Sequence, residues 1–438
     1  MGSNAAAALG AVLLAAAGAD PDPAGIEARV EAVRERVVGW RRDIHRHPEL
    51  SNREERTAAL VAEHLRGLGL EVRTGVARTG VVGVLRGARG APVVALRADM
   101  DALPVTEETG LAFASTERAT YLGQEVGVMH ACGHDAHTAM LMGAAEVLSG
   151  LRDRLPGQVV FLFQPAEEGA PPGEEGGARR MIAEGALDDP RPGAIFALHV
   201  VPQLEAGEIG VRSGGVMASS DRLQIRVRGR QTHAAYPWLG ADPITAAARI
   251  ALALQALPAR RVDARVPAVV SIGAIHGGVR HNIIPEEVEL SGTIRALDPQ
   301  VRQQLHELVR TTAEKIAEAD GARAEVEIVP GYPITWNDAE LVTRMRPTLE
   351  GVAGRDRLLE PPPHTGAEDF AFFQERAPGL YFWLGIRAPG VAEEDAAPNH
   401  SPRFVVDESA LPLGVRALAS LALTWLEQQA EAGTAVAE

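Results

Sequence analysis

Apolar residues recur at three-to-four spacing through residues 23–70, at Ile26, Val30, Val33, Val37 and Ile44 and again over 58–68, which predicts two helices, the second ended by Gly67 and Gly69. Short β-branched runs follow at 81–85 and 92–96, the second leading into Arg97-Ala98-Asp99-Met100-Asp101. A helix is predicted over 134–150, a buried strand over 159–164 and another over 194–201. Near residue 216 the texture changes. Alternating segments at 223–228, 269–275, 288–294 and 324–329, with amphipathic helices at 242–256 and 299–319, spell strand-helix-strand-strand-helix-strand. From Tyr332 the earlier pattern resumes and closes on an apolar helix at 411–426. The organisation expected is therefore an α/β catalytic domain (24–215 and 332–428) interrupted by an α+β unit (216–331), with a flexible tail at 429–438.

Composition narrows the partners. A net charge of −15 argues against nucleic acid or an anionic membrane surface as the main partner. The single cysteine, Cys132, allows no internal disulfide and leaves a buried thiol, a reactive thiol or a metal ligand. Residues 1–23 stand apart. The run 5–17 is apolar and Ala17-Gly18-Ala19 has the form of a cleavage site, but no basic residue precedes it. Either a signal peptide, implying a periplasmic or secreted protein, or an Ala-rich leader on a cytoplasmic one fits.

Chemistry concentrates in a few places. Three of the 13 histidines and the only cysteine fall within His130–His137, and Cys132 and His134, separated by Gly133, can converge on one metal from a loop. Glu167-Glu168 follows a buried strand, where paired carboxylates are easier to explain if a cation neutralises one and the other moves protons. His199 lies inside an apolar run and His400 in a turn-rich loop; taken singly, either has an ordinary structural explanation. A zinc-dependent dehydrogenase would also use Cys and His, but residues 80–90 supply no Gly-x-Gly-x-x-Gly turn.

Taken in order, these stretches resemble one family, the two-metal amidohydrolases that include hippurate hydrolase, aminoacylase-like N-acyl-amino-acid amidohydrolases and plant auxin-conjugate (indole-acetyl-amino-acid) hydrolases. The likeness is carried by His45-Arg46-His47-Pro48-Glu49-Leu50, Arg97-Ala98-Asp99-Met100-Asp101, His130-Ala131-Cys132-Gly133-His134-Asp135, Gln164-Pro165-Ala166-Glu167-Glu168-Gly169 and Leu198-His199-Val200. Further along it continues in His281-Asn282-Ile283-Ile284-Pro285, Gly292-Thr293-Ile294-Arg295, Ala367-Glu368-Asp369-Phe370 and Asn399-His400, so that it runs from about residue 36 to 428.

The resemblance implies a zinc-peptidase-like α/β domain with a ferredoxin-like lid and dimerisation domain. It implies Cys132, His134, Glu168, His199 and His400 as ligands of two divalent ions, one ligand bridging, with zinc, manganese, cobalt and nickel all fitting the donor set. Glu167 would be the general base acting on a metal-bridging water. His233 would serve the partner subunit of a homodimer as oxyanion donor, Asn282 and Arg295 would hold the substrate carboxylate, and Asp101 would orient a ligand. The implied substrate is a small N-acyl or N-aroyl amino acid, cleaved to a carboxylic acid and a free amino acid. Carboxypeptidases, dipeptidases and carbamoyl-amino-acid hydrolases share the scaffold and stay open as alternatives.

Overall fold

The computed structural model describes residues 25–435; the expected leader at 1–23 and residues 436–438 lie outside them. Helices Ile26–Arg46 and Glu55–Gly67 form where the apolar spacing predicts them, and Val30, Val33, Val37 and Ile44 are buried on one face. Ile26–Arg46 packs on the helices His134–Ser149 and Leu411–Ala435, and Glu55–Gly67 lies against the first two strands of a mixed eight-stranded sheet ordered Glu71–Val76, Gly80–Arg86, Gln158–Gln164, Val93–Asp99, Ala194–Glu205, Gly379–Arg387, Ile209–Gly210, Leu358–Leu359. Its centre is parallel: Val93–Asp99 pairs with Gln158–Gln164 and with Ala194–Glu205, which pairs in turn with Gly379–Arg387. These strands are buried on both faces, so they read as continuous apolar runs rather than alternations. Ligands of open α/β sheets sit beyond the carboxyl ends of such strands. Asp99, the turn after Gln164, and His199 all lie there.

The closing helix, Leu411–Ala435, is apolar because it is a core element, with Leu411, Val415, Leu418 and Leu421 almost wholly buried against the sheet and the other helices. It extends past the end expected at 426. Residues 429–435, expected as tail, continue the helix because Gln429, Ala430 and Glu431 are good helix formers and no proline interrupts them.

The inserted unit has its own core. A four-stranded antiparallel sheet, ordered Ala268–Gly277, Glu287–Ala296, Asp221–Arg228, Arg323–Pro330, is covered on one face by helices Pro243–Arg261 and Pro299–Ala319. Both helices start at an aspartate cap followed by proline, with Asp242 Oδ1 accepting from Ile244 N at 2.9 Å and Asp298 Oδ1 from Gln300 N at 2.8 Å. The order is the ferredoxin-like one. Two chain crossings join it to the main domain and are tied together: Gly214–Met217 pairs with Thr335–Asn337, and Ser220 N donates to Tyr332 O at 3.0 Å.

Candidate metal centre

Three sheet strands and two loops deliver the site. Cys132 and His134 flank Gly133, whose backbone is left-handed (φ +96°) and where a Cβ would stand 2.2 Å from Val200 Cγ2. Glycine is therefore required for the thiol and the imidazole to reach the same point. His134 opens helix His134–Ser149. His199 projects from the strand Ala194–Glu205, and His400, itself left-handed at φ +70°, is held by its own N–H on Ala131 O at 2.7 Å.

The hydrogen bonds decide which lone pairs are free. His134 Nδ1 donates to Asp101 O at 2.8 Å, and His199 Nδ1 donates to Val200 O at 2.8 Å. Each ring therefore turns its Nε2 inward, the nitrogen a metal would take in place of a proton. His199 Nε2 lies 3.3 Å from Cys132 Sγ. His134 Nε2 is buried without a hydrogen-bond partner, and Glu168 Oε1 stands 3.0 Å from His400 Nε2. Donor atoms of Cys132, His134 and His199 lie within 4.8 Å of one another, and so do those of Cys132, Glu168 and His400. The two groups overlap at Cys132. A buried imidazole nitrogen with no partner, as at His134 Nε2, is costly unless a cation sits beside it.

His137, by contrast, is fully committed: Nδ1 donates to Asp99 at 2.6 Å and Nε2 accepts from Val200 N–H at 2.9 Å. Asp99 spends its other oxygen on Arg97 at 2.8 Å. His137 therefore keeps no lone pair for a metal, and both oxygens of Asp99 are already engaged.

Electrostatics point the same way. Burial opposes a charged imidazole at His134, yet Asp99 and Asp101 outweigh it and raise the group to about 10; the pocket demands positive charge there. Burial, then Glu168 and Glu167, push the Cys132 thiol well above its usual range. Burial likewise keeps His199 neutral. A thiol that loses its proton to a bound cation, three imidazoles and a carboxylate suit divalent zinc and its first-row neighbours, so this donor set fits metal.

Glu167 is buried beside Glu168, and its Oε1 accepts from Asp369 N at 3.4 Å. Burial and then Glu368, Glu168 and Asp369 push it well above the ordinary carboxylate range, the direction a proton-transfer group needs. The Glu167-Glu168 turn is aimed by Asp101, whose two carboxylate oxygens accept from Glu167 N and Glu168 N at 3.1 Å each while Ser51 Oγ donates to it at 2.7 Å.

Several supporting residues escape a reading of the sequence. Ala166 holds a left-handed φ of +53° before the turn, fixed by its N–H on Glu54 Oε1 at 2.9 Å. Glu54 is wholly buried and pushed up to about 8, first by burial and then by Asp101. Tyr332 Oη, from the second interdomain crossing, donates to Glu167 O at 2.8 Å. Arg97 bridges Asp99 and Glu368 at 2.8 Å and Asp369 at 3.2 Å. The one usable signal was an arginine within an otherwise apolar buried run.

His45 is buried between Asp135 at 2.8 Å and Glu107 at 3.2 Å, bracing the first turn of the helix that carries His134. His47 is surface-side, 3.4 Å from Glu117. His364 stacks on Trp383, with ring centroids 4.5 Å apart, and Trp383 in turn meets His199 edge-on.

The inserted unit places His233, Asn282 and Arg295 differently. His233 pairs with Ile283 across a two-residue ladder and is exposed; Ala234 N donates to Asn282 O at 3.1 Å, which makes the two residues neighbours. Asn282 Oδ1 is buried and unsatisfied. Arg295 is half-buried and, among the described residues, makes no ion pair. Glu289, the obvious partner on its own strand, is taken by Arg226 at 2.9 Å. No hydrogen bond, ion pair or ring contact connects His233 with the five metal candidates among the described residues.

Residues 95–424 match the peptidase family M20/M25/M40. The chain is similar to thermostable carboxypeptidase 1 of Saccharolobus solfataricus, 41% identical over 396 residues that cover 90% of this chain and 96% of that protein. It is similar to an N-acetylcysteine deacetylase of Bacillus subtilis, 38% identical over 91% of this chain and 98% of the relative. A solved Bacillus subtilis structure, described as a dinuclear metal binding peptidase from the M20 family, superposes with a TM-score of 0.77 at 37% identity, covering 91% of this chain and 99% of that one.

Proposed function

The chain belongs to peptidase family M20/M25/M40 and is a metallohydrolase of that family; from that premise we propose that it is an amidohydrolase releasing a free amino acid from an N-acyl or N-aroyl amino acid. The observation that carries the reading is the pairing of a buried, proton-avid Glu167 with ligand lone pairs that converge beside it, with an unpaired half-buried Arg295 to take the amino-acid carboxylate.

Cys132, His134, Glu168, His199 and His400 would hold two divalent ions, which supply Lewis acidity toward a carbonyl and a water. Glu167 accepts a proton from the water that adds to the amide carbon. It returns that proton to the nitrogen as the C–N bond breaks, leaving a carboxylic acid and an amine. Asp101 keeps the His134 tautomer and the Glu167-Glu168 turn in place meanwhile. Arg295 and Asn282 fix the carboxylate of the amino acid, which orients the scissile bond. His233, exposed and without a role in its own chain's metal set, serves the developing oxyanion of the partner subunit in a homodimer formed through the inserted unit.

A second reading, a carboxypeptidase or dipeptidase on the same scaffold, is favoured by the 41% identical carboxypeptidase relative; a carbamoyl-amino-acid hydrolase would use the same groups. Steady-state kinetics on matched N-acetyl, N-benzoyl, N-carbamoyl and free dipeptide substrates separate them. Hydrolysis of the acyl series is the expected result, and turnover confined to free dipeptides would replace the proposal with the second reading.

A further inference from the structure

Beside Glu168 lies a cleft of about 140 Å³ whose walls include Leu50, Leu103, Pro104, Tyr121, Leu122 and Pro171. A site for a whole small ligand usually spans ~300–1,000 Å³, so this volume suits one substituent. One wall is the hairpin Arg118–Tyr121 with Gln124–Gly127. The hairpin is seated by Ala119 and Tyr121 against Leu50, Ala102 and Val128, a small apolar cluster separate from the main cores.

The turn of that hairpin carries an anomaly. Leu122 and Gly123 are both left-handed, at φ +51° and +79°. Two-residue turns of this kind favour Asn-Gly or Asp-Gly, because an ordinary side chain clashes in the left-handed conformation. Here a leucine occupies the position and is 67% exposed. Neither local backbone preference nor burial within this chain accounts for it.

The polar groups of the cleft are mostly committed. Ser51 donates to Asp101 at 2.7 Å, and Arg53 pairs with Glu174 at 2.7 Å. Glu168 belongs to the metal set, and Thr120 is neutral. Nothing in these walls is free to receive a charged substituent, such as the terminal ammonium of a peptide. If the lid grips the amino-acid carboxylate, the substituent on the other side of the scissile bond comes to the main domain, where this cleft opens.

We propose that the cleft beside Glu168 is the acyl subsite and that Leu122, at the tip of the hairpin, is a specificity residue selecting bulky uncharged acyl groups, aromatic ones included, over acetyl. This rests on the amidohydrolase reading above.

The test uses the metal-loaded full chain on the N-benzoyl and N-acetyl derivatives of one amino acid. Leu122→Asn and Leu122→Gly both suit the turn, so each should fold with an unchanged or higher melting midpoint. The ratio of kcat/KM for benzoyl over acetyl should fall about tenfold in both, chiefly through KM for the benzoyl substrate. Leu122→Met, which keeps an apolar side chain on the same turn, should retain the ratio. An unchanged ratio in the Asn and Gly variants overturns the assignment, whatever happens to absolute rates. If the unaltered enzyme hydrolyses neither substrate, the amidohydrolase reading itself fails and the subsite falls with it.

Discussion

At the carboxyl ends of the parallel strands, His134 and His199 are buried, held through Nδ1 with Nε2 turned into the site, and Asp101 fixes both a candidate ligand and the Glu167-Glu168 turn. In the inserted unit, His233 is exposed, Asn282 Oδ1 has no partner, and Arg295 carries a half-buried charge without a carboxylate. The floor of the site is assembled within one domain and completed by cations. The lid offers groups that its own domain leaves unmatched. Rigid donors hold a metal in place, while unmatched donors are what an incoming substrate or a second subunit can satisfy.

Removing metal should have the largest effect. Prolonged chelation is expected to abolish turnover and to lower the melting midpoint, since an ion bound only by the folded state stabilises it; added zinc or manganese should restore both. Full activity in chelated, metal-free protein would remove the floor's assigned role.

Replacing Arg295 with Ala acts on the lid alone. KM for the acyl amino acid should rise about 10- to 100-fold, as for the loss of a charged hydrogen-bonded contact, with kcat changed less and metal content unchanged. A lysine there should recover only part of the loss because it lacks the two-pronged geometry. An unaltered KM would leave the carboxylate without its proposed anchor.

His233→Ala should depress kcat while leaving bound metal untouched. Mixed with Glu167→Ala protein, it should regain activity, because a hybrid dimer holds one site with both groups intact. Failure to regain any would confine His233 to a local role.

The smallest effect concerns the joint between the regions. Asp221, buried where the inserted sheet begins, is held by His306 and by Arg302. Burial opposes its ionisation, but these two hydrogen bonds lower the carboxyl from 3.8 to about 2. A group depressed in the folded state contributes stability that is present above its unfolded value and lost as pH falls through the folded one. Between about pH 4 and about 2, the melting midpoint of the native protein should therefore fall more steeply than that of Asp221→Asn. Parallel curves would show that this cluster does not tie the joint.

Much of this was legible because two periodicities differ. Buried parallel strands appeared as unbroken apolar runs and the half-exposed strands of the inserted unit as alternations, so the change of texture near residue 216 is visible in the sequence itself. The hairpin at Arg118–Tyr121 and Gln124–Gly127 could not, because its residues are short, polar and mostly exposed. Its turn, Leu122-Gly123, lacks the Asn or Asp that usually marks one.

The candidate ligands were legible as a set through their order along the chain. Their supports were not. Glu54 resembles any helix-start glutamate until the fold buries it against Ala166, and Arg97 gains its meaning only when residues from 368 and 369 return to meet it. Sequence neighbours announce chemistry, whereas partners hundreds of residues away emerge only from packing.

The most direct test of the whole account is Glu167→Ala, assayed for turnover and metal content on the same sample. The account predicts that kcat falls by about 10²- to 10⁴-fold while both divalent ions stay bound by Cys132, His134, Glu168, His199 and His400. Turnover retained with the ions in place would contradict the assignment of Glu167 as the proton-transfer group.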